Sequence, residues 1–168
     1  MMKIRILEDF DARLYQALRL KALKLSPEAF GSTYEREVQF TFETFVERVR
    51  PADGKFVLGA FDESGSLVGS VSFVRESGMK SSHKGNVYGM YVAPEAGGQG
   101  LGKKLMLELI GRASRYEGLE QINLMVLSDN VIAKKLYKSL GFEIYGVERK
   151  ALKYNGRYYD EDLMVLYI

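Results

Sequence analysis

Residues 92–103 read Val-Ala-Pro-Glu-Ala-Gly-Gly-Gln-Gly-Leu-Gly-Lys, a predicted strand end followed by a glycine-rich turn and the start of an amphipathic helix. Glycine lacks a Cβ, so the backbone at Gly98, Gly100 and Gly102 can take left-handed dihedrals and let a ligand approach its N–H groups closely. A helix beginning at about Leu101 adds unpaired N–H donors and the positive end of its dipole. The stretch therefore predicts a cradle for a diphosphate.

Two nucleotide-binding motifs fit this loop poorly. The segment from Gly97 to Lys103 matches G-x-x-x-x-G-K, but Lys104 stands where Ser or Thr would ligate magnesium. The dinucleotide fingerprint G-x-G-x-x-G fails because the last three glycines are spaced evenly by two. A merely flexible connection is also disfavoured, since loops of this length rarely concentrate glycines without a need for special backbone geometry.

A second motif follows a predicted strand at residues 121–126. It reads Asn130-Val-Ile-Ala-Lys-Lys-Leu-Tyr-Lys-Ser-Leu-Gly-Phe142, with Asn130, Ala133, Leu136, Tyr137, Gly141 and Phe142 at characteristic spacing. Together with the glycine loop, it resembles the GCN5-related N-acetyltransferase (GNAT) family, most closely over residues 86–142. In that family the loop is written Q/R-x-x-G-x-G/A, and its backbone amides bind the pyrophosphate of acetyl-coenzyme A (acetyl-CoA).

The resemblance implies a single-domain α/β acyl-CoA N-acyltransferase fold over residues 1–168. Its mixed central sheet has about seven strands, with helices on both faces, and splays open between the fourth and fifth strands, here residues 86–92 and 121–126. The implied activity is transfer of the acetyl group of acetyl-CoA, as cosubstrate and without a metal, to a primary amine by direct attack. A noncatalytic acyl-CoA binding or sensing domain is the alternative.

The resemblance also implies which residues contact the cofactor. Main-chain groups of the fourth strand pair with the pantetheine arm, and one N–H near Tyr91 or Val92 faces the oxyanion that develops during transfer. Asn130 suits both a cofactor contact and an ordinary helix N-cap. The full predicted set is Met90, Tyr91, Val92, Gly98, Gln99, Gly100, Leu101, Gly102, Lys103, Asn130, Ala133 and Tyr137.

Tyr137 is the predicted catalytic residue, because the family commonly has a general acid at this motif position. A phenol with a pKa of about 10 is protonated at neutral pH and can donate its proton to the departing thiolate. The alternative is that Tyr137 only packs beside Leu136 and Leu140.

The chain departs from the family pattern at three positions. Gly97 replaces the usual Gln or Arg, which removes one side-chain contact near the pyrophosphate. Asn86 and Met125 stand where many relatives carry a glutamate base, and neither accepts a proton usefully. Three alternatives remain for the amine proton: a water chain, a carboxylate from residues 35–37 or 160–162, or an amine that arrives already deprotonated.

Composition limits the other functions. The chain has no cysteine and a single histidine, His83, which excludes thiolate metal sites and a cysteine nucleophile. A net charge of +2 gives no reason to expect a nucleic-acid partner. Apolar runs are too short to span a membrane, and no secretory leader is expected, so we predict a cytoplasmic protein. A homodimer is possible.

Periodicity predicts the remaining elements. A first strand over residues 3–7 precedes a helix capped by Asp9 or Asp11, with an apolar stripe of Leu14, Leu18, Ala22 and Leu25. A shorter helix capped by Thr41 or Thr44 precedes a hairpin of Lys55–Phe61 and Leu67–Arg75. Residues 80–85 are predicted as a loop. A 3–4 spacing predicts an amphipathic helix closed by Gly141, with the apolar residues Ile132, Ala133, Leu136, Tyr137 and Leu140. Residues 142–148 and 162–168 are predicted as the last strands, with a turn at Asn155-Gly156 between shorter extended pieces. Residues 29–37 are predicted to line the acceptor pocket, and their two glutamates hint at a cationic acceptor.

Overall fold

The computed structural model describes residues 2–168. The strands are β1 (Lys3–Ile6), β2 (Lys55–Phe61), β3 (Leu67–Arg75), β4 (Lys84–Val92), β5 (Gln121–Leu127), β6 (Glu143–Tyr154) and β7 (Arg157–Tyr167). The helices are α1 (Ala12–Leu25), α2 (Tyr34–Glu37), α3 (Phe42–Val49), α4 (Leu101–Ala113) and α5 (Val131–Ser139). The strands form one seven-stranded sheet in the order β1-β2-β3-β4-β5-β7-β6. This is the predicted α/β fold with a mixed sheet.

The sheet opens between β4 and β5. These strands pair in parallel only where residues 84–86 lie opposite residues 121–123. Both strands then continue, to Val92 and Leu127, without pairing to each other. The predicted splay between the fourth and fifth strands is therefore confirmed. The predicted loop over residues 80–85 is wrong at Lys84 and Gly85, because these two residues belong to the parallel pairing.

Helices cover both faces of the sheet, as predicted. Neighbouring residues of a strand point to opposite faces. The ring of Tyr91 in β4 packs against Phe30, over which the Arg19 guanidinium of α1 lies, whereas a Cβ added to Gly102 of α4 would lie 4.0 Å from Cγ2 of Val92. Since Tyr91 and Val92 are adjacent and pair with Ser70 and Gly69 in regular register, α1 and α4 lie on opposite faces.

The predicted apolar stripe of α1 is wrong at its ends. Leu14 and Leu25 are 43% and 56% exposed, and the buried positions of the helix are Ala12, Tyr15, Leu18, Ala22 and Leu23. An α-helix turns by about 100° per residue, so the centre of the buried face of α1 lies near Arg19. Apolar spacing in the sequence does not predict this, because Arg19 is charged. A charged side chain is tolerated at this buried position because Arg19 forms an ion pair with Glu37.

The helix caps distinguish between the predicted alternatives. Thr41, not Thr44, caps α3, because its Oγ1 accepts a hydrogen bond from the Thr44 N–H at 3.3 Å. Neither aspartate caps α1 through its side chain; Asp11 instead accepts hydrogen bonds from the Glu8 N–H and from Arg5. Gly141 follows α5 at φ +100°, the left-handed conformation expected just past a helix end.

The last two strands are longer than predicted. β6 and β7 run to either side of the Asn155-Gly156 turn, with an irregularity in their register between Glu148 and Leu152. The sequence predicts strands over residues 142–148 and 162–168 with separate shorter extended pieces beside the turn, whereas in the structure residues 149–154 and 157–161 continue the same two strands. Most side chains in this outer part of the hairpin are not buried, so no apolar alternation marks them in the sequence.

A buried carboxylate joins three helices on the α1 face. Glu37 of α2 is fully buried and accepts hydrogen bonds from Nε and Nη2 of Arg19 at 3.0 and 2.9 Å. Arg48 of α3 donates to the same carboxylate at 2.8 Å. Burial alone would raise the pKa of Glu37, but hydrogen bonds from Arg19 and Ser32 and the charges of Arg19 and Arg48 lower it to about 2.

We expect Glu37→Gln to lower the free energy of unfolding at pH 7 by on the order of 3 kcal/mol, because the pKa of this carboxyl falls well below its ordinary value on folding. A lowered pKa stabilises the fold above the ordinary value, about 4.5, and this contribution is lost as the pH falls toward 2. Urea unfolding at pH 7 and pH 3 measures it, with Glu35→Gln as the exposed control. If the difference in the free energy of unfolding between wild type and Glu37→Gln is as large at pH 3 as at pH 7, this prediction is contradicted.

Candidate active site

A cavity of about 600 Å³ occupies the opening in the sheet. Residues 87–92 of β4 and 124–127 of β5 form its two sides. Gly102 of α4 and the first turns of α5 line it on one face of the sheet, and Ser26, Ala29 and Phe30, which follow α1, line it on the other. The cavity therefore connects the two faces through the gap between the strands.

The glycine loop has the predicted left-handed backbone at Gly98 and Gly100 but not at Gly102, which lies inside α4. Gly98 and Gly100 have φ values of +74° and +71°, in the left-handed region that favours glycine. Gly100 is the N-cap of α4, and the Lys104 N–H donates to its carbonyl at 3.1 Å. Helix geometry leaves the N–H groups of the preceding helical residues without a partner inside the helix. These donors, at the positive end of the helix dipole, suit an anion such as a diphosphate.

Close packing explains the third glycine. A Cβ at Gly102 would contact Cε of Met90 at 3.2 Å and Cδ2 of Leu136 at 3.4 Å. Gly102 therefore lets α4 approach both β4 and α5, which brings the N-terminus of α4 next to the cavity.

The second motif forms α5, and its first residue is an N-cap. Asn130 Oδ1 accepts a hydrogen bond from the Ala133 N–H at 3.1 Å. Asn130 and Ala133 also line the cavity. The capping role is thus established for the Asn130 oxygen, while the amide nitrogen is a donor beside the cavity.

Tyr137 lies on the wall of the cavity and is only 6% exposed. Its ring packs edge-on against Phe142 with ring centroids 5.9 Å apart. Burial raises the pKa of its hydroxyl to about 12. The phenol is therefore protonated across the physiological pH range and is a proton donor rather than a base.

The structure brings seven of the predicted cofactor-binding residues to the cavity: Met90, Tyr91, Val92, Gly102, Asn130, Ala133 and Tyr137. The other five, Gly98, Gln99, Gly100, Leu101 and Lys103, lie in the glycine loop or the first turn of α4 outside its lining. Among these, the Leu101 side chain is 1% exposed and belongs to the core, so only its backbone can face a ligand. Lys103 is exposed.

Two of the proposed carboxylate bases, Glu37 and Asp162, are occupied. Glu37 accepts hydrogen bonds from Arg19 and Arg48. Because its charge is already paired, Glu37 no longer supports the prediction of a cationic acceptor. Asp162 lies 2.8 Å from Nζ of Lys134 and accepts from Ser128, and these partners outweigh burial and lower its pKa. Glu161 differs, because burial and then the charge of Glu148 raise its pKa.

Some residues that line the cavity are not predicted from the sequence. Of the predicted segment 29–37, only Ala29 and Phe30 reach the cavity, and Ser26, Tyr88 and Ile132 were not predicted. Phe30 packs against Tyr91 with ring centroids 6.3 Å apart. Ile132 is 86% exposed at the mouth, although the helical pattern predicts a core position. The break in helix pattern before Pro27 is the one sequence feature that marks where the chain turns toward the cavity.

Two further observations concern metals and membranes. Within residues 2–168, His, Asp and Glu side chains form no group of three that could hold a metal ion. In the same part of the chain, no helix combines the length and apolar character required to cross a bilayer.

Comparison with known proteins assigns this arrangement to a family. A family profile described as "Acetyltransferase (GNAT) domain" matches residues 4–163. The L-amino acid N-acetyltransferase AaaT of Escherichia coli (strain K12) is 28% identical over 92% of this chain and 93% of its own. The L-methionine sulfoximine/L-methionine sulfone acetyltransferase of Pseudomonas aeruginosa is 31% identical over 70% of this chain and 67% of its own.

Solved structures agree with these sequence matches. A GNAT-family acetyltransferase from Streptococcus pneumoniae superposes over 100% of both chains with a TM-score of 0.87 and 26% identity. An acetyltransferase from Salmonella typhimurium, solved with its cofactor acetyl-CoA, has a TM-score of 0.77 and 26% identity over 99% of this chain and 94% of its own. The chain belongs to the GNAT acetyltransferase family. It is an acetyl-CoA dependent N-acetyltransferase.

Proposed function

We propose that this protein acetylates the primary amine of a small acceptor by direct attack on acetyl-CoA, at the cavity between β4 and β5. The supporting observation is the continuity of this cavity from the N-terminus of α4 to the segment after α1. Two substrates approaching from opposite faces of the sheet would meet in the gap. Acetyl-CoA, when bound, supplies the activated thioester.

The glycine loop fits the pyrophosphate of the cofactor. Left-handed Gly98 and Gly100 and the amide groups at the start of α4 offer several N–H donors to one anion. Gln99, Leu101 and Lys103 would contribute to the same cradle, Leu101 through its backbone only. Because these donors belong to the main chain, the missing side chain at Gly97 leaves most of the cradle intact.

Catalysis requires an oxyanion donor and a proton donor. Beyond residue 86, β4 has no pairing partner on its β5 side, so its edge offers backbone groups to a ligand, as a strand offers them to its neighbour. An N–H of Tyr91 or Val92 is the proposed oxyanion donor. Tyr137 would donate its proton to the departing thiolate.

The acceptor would enter beside Ser26, Ala29 and Phe30. Two relatives are named as acetyltransferases of amino acids or of L-methionine derivatives, which supports a small molecule with a primary amine. The test is incubation of the protein with acetyl-CoA and a panel of amines, with release of free thiol as the readout. Cofactor binding without thiol release for every amine would favour the noncatalytic sensing domain instead.

We expect kcat/KM to rise with pH up to about pH 10 without a descending limb. The amine must be unprotonated to attack, and a general acid loses activity only when the pH approaches its own pKa, which for Tyr137 is about 12. Initial rates between pH 6 and pH 10, in buffers of constant ionic strength, measure this profile. A fall in kcat/KM between pH 8 and pH 10 would argue for a different acid.

The remaining predictions concern the assembly and its location. A homodimer and a cytoplasmic location stay proposals, as do the absence of nucleic-acid and membrane partners and the single domain over residues 1–168. Exposed apolar side chains on the outer hairpin, Tyr145, Val147 and Tyr158, support a partner surface there. Light scattering of the purified chain measures whether it is dimeric.

A further inference from the structure

The buried ion cluster on the α1 face carries an unbalanced charge. Arg19 and Arg48 share a single carboxylate, that of Glu37, so the three side chains have a net charge of +1. Among residues 2–168, neither guanidinium makes a second ion pair. A partly buried positive charge without a counterion is costly unless an anion completes it.

One nitrogen of this cluster is available to a ligand. Nε and Nη2 of Arg19 donate to Glu37, whereas Nη1 has no hydrogen-bond partner among the described residues. The one fully buried side-chain polar atom without a partner in residues 2–168 is the Tyr91 hydroxyl, so Nη1 of Arg19 keeps access to solvent.

The free nitrogen lies beside two residues that line the proposed acceptor side of the cavity, although Arg19 is not itself a lining residue. Nη1 is 3.8 Å from the position of a Cβ on Gly89, and Gly89 lines the cavity. The same guanidinium lies over the ring of Phe30, 5.1 Å from its centroid, and Phe30 is also a lining residue. Gly89 has φ +61° and no side chain to separate Arg19 from the gap.

We infer that Nη1 of Arg19 binds the carboxylate of the acceptor, which makes the substrate an amino acid rather than a simple amine. Glu37 orients the guanidinium by a two-point contact and leaves one edge for the ligand. The acceptor carboxylate would balance the excess charge of the cluster and hold the amine toward the opening between β4 and β5. This inference rests on the proposed N-acetylation and adds a specificity-determining residue to it.

The wild-type protein provides the first test. Thiol release is measured with L-amino acids and with the matching carboxamides, and each kcat/KM is corrected for the fraction of unprotonated amine. A charge-assisted hydrogen bond predicts a preference of about 10- to 100-fold for the free acid. Equal values for acid and amide overturn the inference while leaving the proposed acetyl transfer intact. Failure of every amine in the panel refutes the proposed function itself.

Variants separate recognition from support of the fold. Arg19→Gln and Arg48→Gln each remove one guanidinium from Glu37, but only Arg19 reaches the cavity wall. We expect Arg19→Gln to abolish the preference for acid over amide, mainly through KM for the acid, and Arg48→Gln to retain it. If both variants keep the preference, or both lose it equally, Arg19 is only a structural partner of Glu37.

Discussion

Replacing Tyr137 by Phe is expected to lower kcat by about 100-fold or more while the Kd for acetyl-CoA stays within a few-fold of wild type. The substitution removes only the hydroxyl, so the ring keeps its packing against Phe142. The loss therefore reports on proton donation to the thiolate rather than on the shape of the cavity. Steady-state thiol release and calorimetric titration with acetyl-CoA measure the two quantities.

Tyr116→Phe is the matched control for this variant. Tyr116 also has a pKa raised by burial, but its ring stacks on Phe73 and it does not line the cavity. We expect its kcat to equal that of wild type. If Tyr137→Phe retains full turnover, then Tyr137 is a packing residue, and another group protonates the thiolate.

Replacing Gly100 by Val is expected to weaken acetyl-CoA binding by at least about 100-fold. Gly100 has φ +71°, and a β-branched residue is a severe outlier in this region, so the N-cap of α4 must rotate. Rotation redirects the N–H donors at the start of the helix, and the loss of two hydrogen bonds to a charged group accounts for the size of the effect. Calorimetric titration with acetyl-CoA and with coenzyme A measures it.

Gly111→Val controls for the general effect of valine in α4. No heavy atom lies within 4 Å of a Cβ at either glycine, and Gly111 has an ordinary φ. Steric clash therefore does not distinguish the two variants, and only the backbone conformation at Gly100 does. We expect Gly111→Val to bind acetyl-CoA like wild type. Near-normal affinity in Gly100→Val would remove the glycine loop from the cofactor site.

Local patterns predicted the elements that carry the proposed cofactor site. Gly98, Gly100 and Gly141 are predictable because left-handed backbone is a property of the residue itself. The Asn130 cap and the hairpin of β2 and β3 are equally local, because their hydrogen bonds join residues that are close in the sequence. Predictions that depended on apolar spacing were less accurate, as Leu14, Leu25 and Ile132 show by their exposure.

The amino-acid sequence by itself determined the left-handed glycine turn and the amphipathic helix α5, because these follow from backbone preferences and short-range periodicity. The opening of the sheet and the role of Tyr137 were implied by the family resemblance. Only the tertiary structure decided that Arg19, Glu37 and Arg48 meet on the α1 face of the sheet. In the sequence these residues look like ordinary surface charges, and their burial is tolerated only because packing of α1, α2 and α3 pairs them. The glycine turn and α5 are therefore encoded locally, whereas the ion cluster on the α1 face depends on long-range packing.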